Sequence, residues 1–108
     1  MSEDAEFEAL LKALELEFSD RLPAILHDIA ASLDTLRAAP ADAEALETAY
    51  RQLHSLAGSA GTFGMPDLGL EAKELERMVT AARAAGRLEA ADISHLEQGL
   101  TALKRYMA

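Results

Sequence analysis

The sequence has no cysteine, which excludes a disulfide framework, a thiolate nucleophile and a Cys-rich zinc site, and removes any need for an oxidising compartment. Aromatic residues make up only 5% of the chain and β-branched residues are scarce, so the side chains that favour pleated sheet are largely missing. Positive charge is also short. Ten Lys and Arg stand against nineteen Asp and Glu, a formal charge of −9 that repels nucleic-acid backbones and anionic lipid surfaces at long range. No apolar run approaches the ~20 residues of a membrane span, and the opening "MSEDAEFEALLKALE" is acidic and amphipathic, where a secretory leader would begin basic and turn apolar. Neither nucleic acid nor membrane is an expected partner, and a soluble, cytoplasmic monomer is expected. What is abundant is Ala, Leu and Glu, the composition of helices. The 108 residues are the size of a single domain, long enough to bury one core without metal or disulfide support.

The pattern of apolar residues predicts an all-α chain. Phe7, Leu10, Leu11, Leu14 and Phe18 share one helical face over residues 4–18. "FSDRLPAIL" then offers Ser19 or Asp20 as an N-cap and Pro23 near a helix start, followed by Leu22, Ile25, Leu26, Ile29, Leu33 and Leu36 over residues 20–38. The apolar stripe crosses this junction almost without a change of phase, so both two helices and one helix kinked at Pro23 remain open. Pro40 and Asp42 mark the next break, and a helix over 42–63 follows with Leu46, Ala49, Tyr50, Leu53, Ala57 and Ala60 inward and Gly64 at its end. Pro66 opens a helix over 66–85, with Leu68, Ala72, Leu75, Val79 and Ala82 on one face until Gly86. A last helix over about 90–107, with Asp92 as a candidate cap, carries Ile93, Leu96, Leu100, Leu103 and Met107. Short connections between such helices predict an antiparallel up-down-up-down four-helix bundle with an additional N-terminal helix over an end or side.

Three histidines separate on their helical wheels. His27 lies about 140° from the centre of its apolar stripe and His95 nearly opposite its own, the positions of ordinary solvated residues. His54 lies about 80–90° from the stripe centre, on the boundary where a side chain is held by the bundle and still reaches water. It opens the run "HSLAGSAGTFG", whose Gly58 and Gly61 follow at one and two turns along the same edge. Each interior glycine costs a helix about 0.8–1 kcal/mol relative to alanine, so a compensating purpose is expected. The glycines clear space beside the imidazole for a macromolecule to approach, or they let two helices pack closely. Spacing alone favours the first only modestly.

The segment "RQLHSLAGSAGTFGMPDLGLEAKELE", residues 51–76, closely resembles the signature of histidine-containing phosphotransfer (HPt) domains. The family's His-x-Leu-Lys-Gly core falls on His54, Leu56 and Gly58. A Gly-Ser-Ala-Gly-Thr-x-Gly continuation follows, and a helix later a Leu-Glu pair matches Leu75 and Glu76. The resemblance implies that His54 accepts a phosphoryl group from a receiver-domain aspartate or from a histidine kinase and passes it to a receiver aspartate. It also implies that the chain is a carrier, not an enzyme, with no cofactor of its own and with Mg²⁺ supplied by the receiver. Arg51, Ala57, Gly58 and Gly61 are the expected supporting or docking residues. One departure stands out: the family's lysine three residues after the histidine is Ala57 here. Arg51, Lys73 and Arg77 are the candidates to replace that charge, and the wheel points Arg51 further into solvent and the other two to the outer face of their helix.

Other chemistries fit less well. A di-metal bundle needs paired Glu-x-x-His motifs, and Ala24, Arg51 and Asp92 precede the three histidines by three residues. "GSAG" lacks the spacing of a Gly-x-Ser-x-Gly elbow, and no Walker-type loop is present. A degenerate docking module that binds a receiver without exchanging phosphate is the main alternative, and Ala57 is its basis.

Overall fold

The computed structural model describes residues 2–108, and all regular structure among them is helical: α1 (Glu3–Ala38), α2 (Ala43–Thr62), α3 (Pro66–Ala85) and α4 (Ala90–Leu103), with a closing 3₁₀ turn at Lys104–Tyr106. The separate N-terminal helix expected over 4–18 is not a separate element. It is the first half of α1, which runs unbroken for 36 residues with Pro23 inside it. Interior proline costs a helix about 3 kcal/mol. Pro23 sits on the exposed face, so the Ser19 carbonyl that it leaves without an N–H partner can be solvated. On the core face of the same helix, Phe18, Leu22, Leu26 and Ile29 are buried in one continuous stripe, each burial worth about 1.5–3 kcal/mol. Breaking the helix would rotate one half of that stripe out of the core.

Local chemistry explains the other ends. The Asp42 side chain accepts from the Ala45 N–H at 3.1 Å and caps α2. After Thr62 the chain turns through Gly64 at φ +85°, and the Met65 N–H donates to the Ala60 carbonyl at 2.8 Å, closing the helix end as a left-handed glycine allows. The last helix starts at Ala90, and Asp92 is not its N-cap but reaches back from the third position to the Glu89 N–H at 3.4 Å. It also ends earlier than expected, because Tyr106 and Arg105 turn toward α3 and share the Glu71 carboxylate. That contact holds the Glu71 carboxyl below its ordinary value, chiefly through Arg105 and then Tyr106.

α2 and α3 run antiparallel. Between α2 and α3 the contacts are Glu47 with Arg83, His54 with Glu76, and Gly61 with Gly69, descending one helix as they ascend the other. Phe18 meets Phe63 and Ser32 meets Gln52 between α1 and α2, and Arg37 pairs with Glu97 to join α1 to α4. The α1–α2 and α3–α4 loops meet at one end, where the Leu88 N–H donates to the Pro40 carbonyl at 2.9 Å and the Leu88 side chain is fully buried. The core is the shared interior: the apolar stripes of all four helices, without a buried polar or charged residue among those described.

The face predicted for the N-terminal segment does not pack against the bundle. Phe7, Leu10 and Leu14 are 65%, 58% and 37% exposed, and burial on α1 begins only at Phe18. The cause is length. At 1.5 Å per residue α1 spans about 54 Å and the 20-residue α2 about 30 Å, so the start of α1 extends beyond the helices that could cover it.

Candidate functional site

His54 stands on the outward edge of α2, with its side chain 66% exposed. Two neighbours fix its ring. Tyr50, one turn earlier, stacks on it at 5.6 Å between centroids and 18° between planes. Tyr50 is itself held under the Arg83 guanidinium, 4.0 Å from its ring, and Arg83 is anchored on Glu47 at 2.6 Å. From the facing helix, Glu76 Oε1 lies 3.2 Å from His54 Nδ1. The Glu76 side chain is only 16% exposed, so its carboxylate has little freedom to leave. A carboxylate can only accept from a neutral imidazole, which places the ring proton on Nδ1 and the lone pair on Nε2.

Toward the C-terminal side of the ring the surface is open. A groove of about 410 Å³ runs between α2 and α3, lined by His54, Gly58 and Gly61 on one wall and by Gly69, Lys73 and Glu76 on the other. A Cβ added at Gly58 or Gly61 would meet no atom within 4 Å, so neither glycine is there to let a helix approach. That duty falls to Gly69 on α3, which the sequence reading passed over. A Cβ there would lie 3.0 Å from the Ala57 carbonyl oxygen and 3.3 Å from the Gly61 nitrogen, both backbone atoms. Glycine at 69 brings α3 against α2 and so carries Glu76 to His54.

Of the residues selected from sequence, His54, Ala57, Gly58 and Gly61 share this groove, and Arg51 does not. Arg51 pairs with Glu47 at 3.0 Å and borders a second groove, between α1 and α2, with Phe18, Arg21 and Asp28. Arg77 is tied to Glu74 on the outside of α3. Lys73, assigned by the wheel to the outer face, instead lines the groove: Gly69, Lys73 and Glu76 follow at i, i+4 and i+7 and form one stripe along the wall facing α2. The signal that would have found it is the hairpin register. Counted outward from the turn at Gly64, residue 61 meets 69 and residue 54 meets 76, which sets 73 across from 57 and 58. His27 and His95 are exposed and belong to neither groove.

The family model of the Hpt domain matches residues 6–106, nearly the whole chain, and the chain belongs to that family, whose members are phosphocarrier modules of two-component signalling that work with kinases or receiver domains. No curated protein and no solved structure gives a significant match.

Proposed function

We propose that this member of the Hpt family is a phosphorelay carrier whose acceptor is His54, loaded from a receiver-domain aspartate or a kinase and discharged to a receiver aspartate. The observation that carries the reading is the 3.2 Å contact from His54 Nδ1 to Glu76, on an exposed ring beside the bare backbone at Gly58 and Gly61. With the proton on Nδ1, the Nε2 lone pair is the nucleophile. It attacks the phosphorus of an aspartyl phosphate, the N–P bond forms as the acyl P–O bond breaks, and the aspartate departs as carboxylate. The ring becomes cationic while keeping its Nδ1 proton, and the Glu76 carboxylate stabilises that charge. The reverse step returns the lone pair to Nε2 and the phosphoryl group to an aspartate. In-line positioning and neutralisation of the phosphoryl oxygens are the remaining needs, and the receiver's acidic pocket with its Mg²⁺ is the partner suited to supply them.

Mixing the domain with a radiolabelled phosphorylated receiver and Mg²⁺ tests this. Wild type acquires label and His54→Gln does not; equal labelling of the two would sink the assignment. Ala57, in place of a cation three residues after the histidine, favours one second reading, a docking module. Wild type that binds the receiver yet never acquires label would establish that reading instead.

A further inference from the structure

A phosphoryl group on Nε2 adds nearly two negative charges to a groove that already contains the Glu76 carboxylate, in a chain whose formal charge is −9. The receiver's Mg²⁺ can neutralise that charge only while the receiver is bound, so a cation on the groove's own wall would stabilise the phosphoryl group before docking and after release. Among the described residues, Lys73 is the one Lys or Arg side chain in the lining. Its surroundings leave it available. Arg51, Arg77, Arg83 and Arg105 are each tied to a carboxylate, whereas Lys73 enters no ion pair within 4 Å among the described residues. It projects from the α3 stripe that also presents Glu76, one turn toward the open end of the groove. Gly58 and Gly61 on the opposite wall present nothing that would block its flexible four-carbon stem.

We propose that Lys73 is the phosphoryl-binding cation of this site, drawing the incoming phosphoryl donor to His54 and pairing with the phosphoryl oxygens as the N–P bond forms. The division of labour on α3 is then by charge. Glu76 stabilises the ring cation from the Nδ1 side, and Lys73 neutralises the phosphoryl anion from the groove. The proposal rests on His54 being the acceptor, so its test includes a donor that needs no protein partner.

Wild type, Lys73→Met and Lys73→Arg are each treated with phosphoramidate and, separately, with a phosphorylated receiver and Mg²⁺, and phosphohistidine formation is timed at low and high salt. Lys73→Met is expected to form phosphohistidine about tenfold more slowly with phosphoramidate, the order of effect of one unit charge on another about 4 Å away through well-hydrated surroundings. Added salt screens the attraction of Lys73 for the donor, so the gap between wild type and Lys73→Met should narrow as salt rises. Lys73→Arg keeps the charge and should remain within about threefold of wild type. All three should melt alike, because Lys73 is exposed and outside the core. A Lys73→Met rate equal to wild type with phosphoramidate, or Lys73→Arg as slow as Lys73→Met, overturns the proposal. Wild type loaded by phosphoramidate but never by the receiver overturns the carrier reading, while the comparison of the Lys73 variants still decides this one. Failure of wild type to load from either donor overturns both.

Discussion

A carboxylate against one nitrogen of an imidazole decides which nitrogen is basic, and at His54 that decision belongs to Glu76. The pair is exposed on the histidine side and nearly enclosed on the glutamate side, so the carboxylate is the fixed member and the ring is oriented by it. A hydrogen bond to a charged group is worth about 1.5–3 kcal/mol. If that interaction strengthens as the ring becomes cationic, Glu76→Ala should slow receiver-dependent labelling of His54 by about tenfold to a hundredfold. Glu76→Gln keeps an oxygen that can accept the Nδ1 proton but loses the charge, and should fall between the two. Neither change removes a core residue, so melting temperatures should stay close to wild type. Labelling of Glu76→Ala at the wild-type rate would show that the contact is an ordinary surface ion pair, for which a value near zero is common.

At the scale of elements, the separation of duties among the glycines can be measured. Gly58 has free space where a Cβ would go, and Gly69 has the Ala57 carbonyl at 3.0 Å. Replacing Gly58 by alanine should therefore stabilise the fold by about 0.5–1 kcal/mol through helix propensity, while slowing transfer because a methyl group enters the groove. Gly69→Ala gains the same propensity but pushes two backbones apart, a strain of about 1–3 kcal/mol, and should lower the melting temperature. Thermal unfolding of the two variants tests this directly: a Gly69→Ala protein that melts as high as Gly58→Ala would mean that α2 and α3 do not approach so closely. The same pair of helices shows what the sequence could and could not reveal. Gly64 and Gly86 at helix ends, Pro66 at a helix start and Asp42 as a cap are signals carried by one or two residues, and all are readable without a partner helix. The boundary position of His54 is readable from a single wheel. Glu76 and Lys73 are not, because a wheel ranks each residue against its own helix, and these two matter through the register between α2 and α3. That register depends on the close approach at Gly69, a residue that is unremarkable in a helix read alone.

For the molecule as a whole, the bundle and the length of α1 are unequal. The long dimension is 55 Å against 24 and 19 Å across, and most of the excess is α1 running past α2, α3 and α4. The sequence pattern showed an apolar face at Phe7, Leu10 and Leu14 but could not show that nothing lies beside it, because periodicity records which side of a helix is apolar and not whether a neighbour reaches that far. Among the described residues none before Phe18 is buried, so the overhang adds helix without adding core. Removing residues 2–12 should accordingly reduce the far-ultraviolet helical signal roughly in proportion to length, while shifting the melting temperature by less than about 4 °C, the effect of a change under about 1 kcal/mol in a domain of this size. Glu15 and Phe18, which contact the α2–α3 turn, are retained in that truncation. Labelling of His54 by phosphoramidate should be unaffected, since none of the described overhang residues lines its groove. A fall of ten degrees or more would mean that the stripe is covered in solution. If the melting temperature of the full chain also rose with protein concentration while that of the truncated chain did not, the cover would be a second copy of the chain, stabilising the fold by mass action.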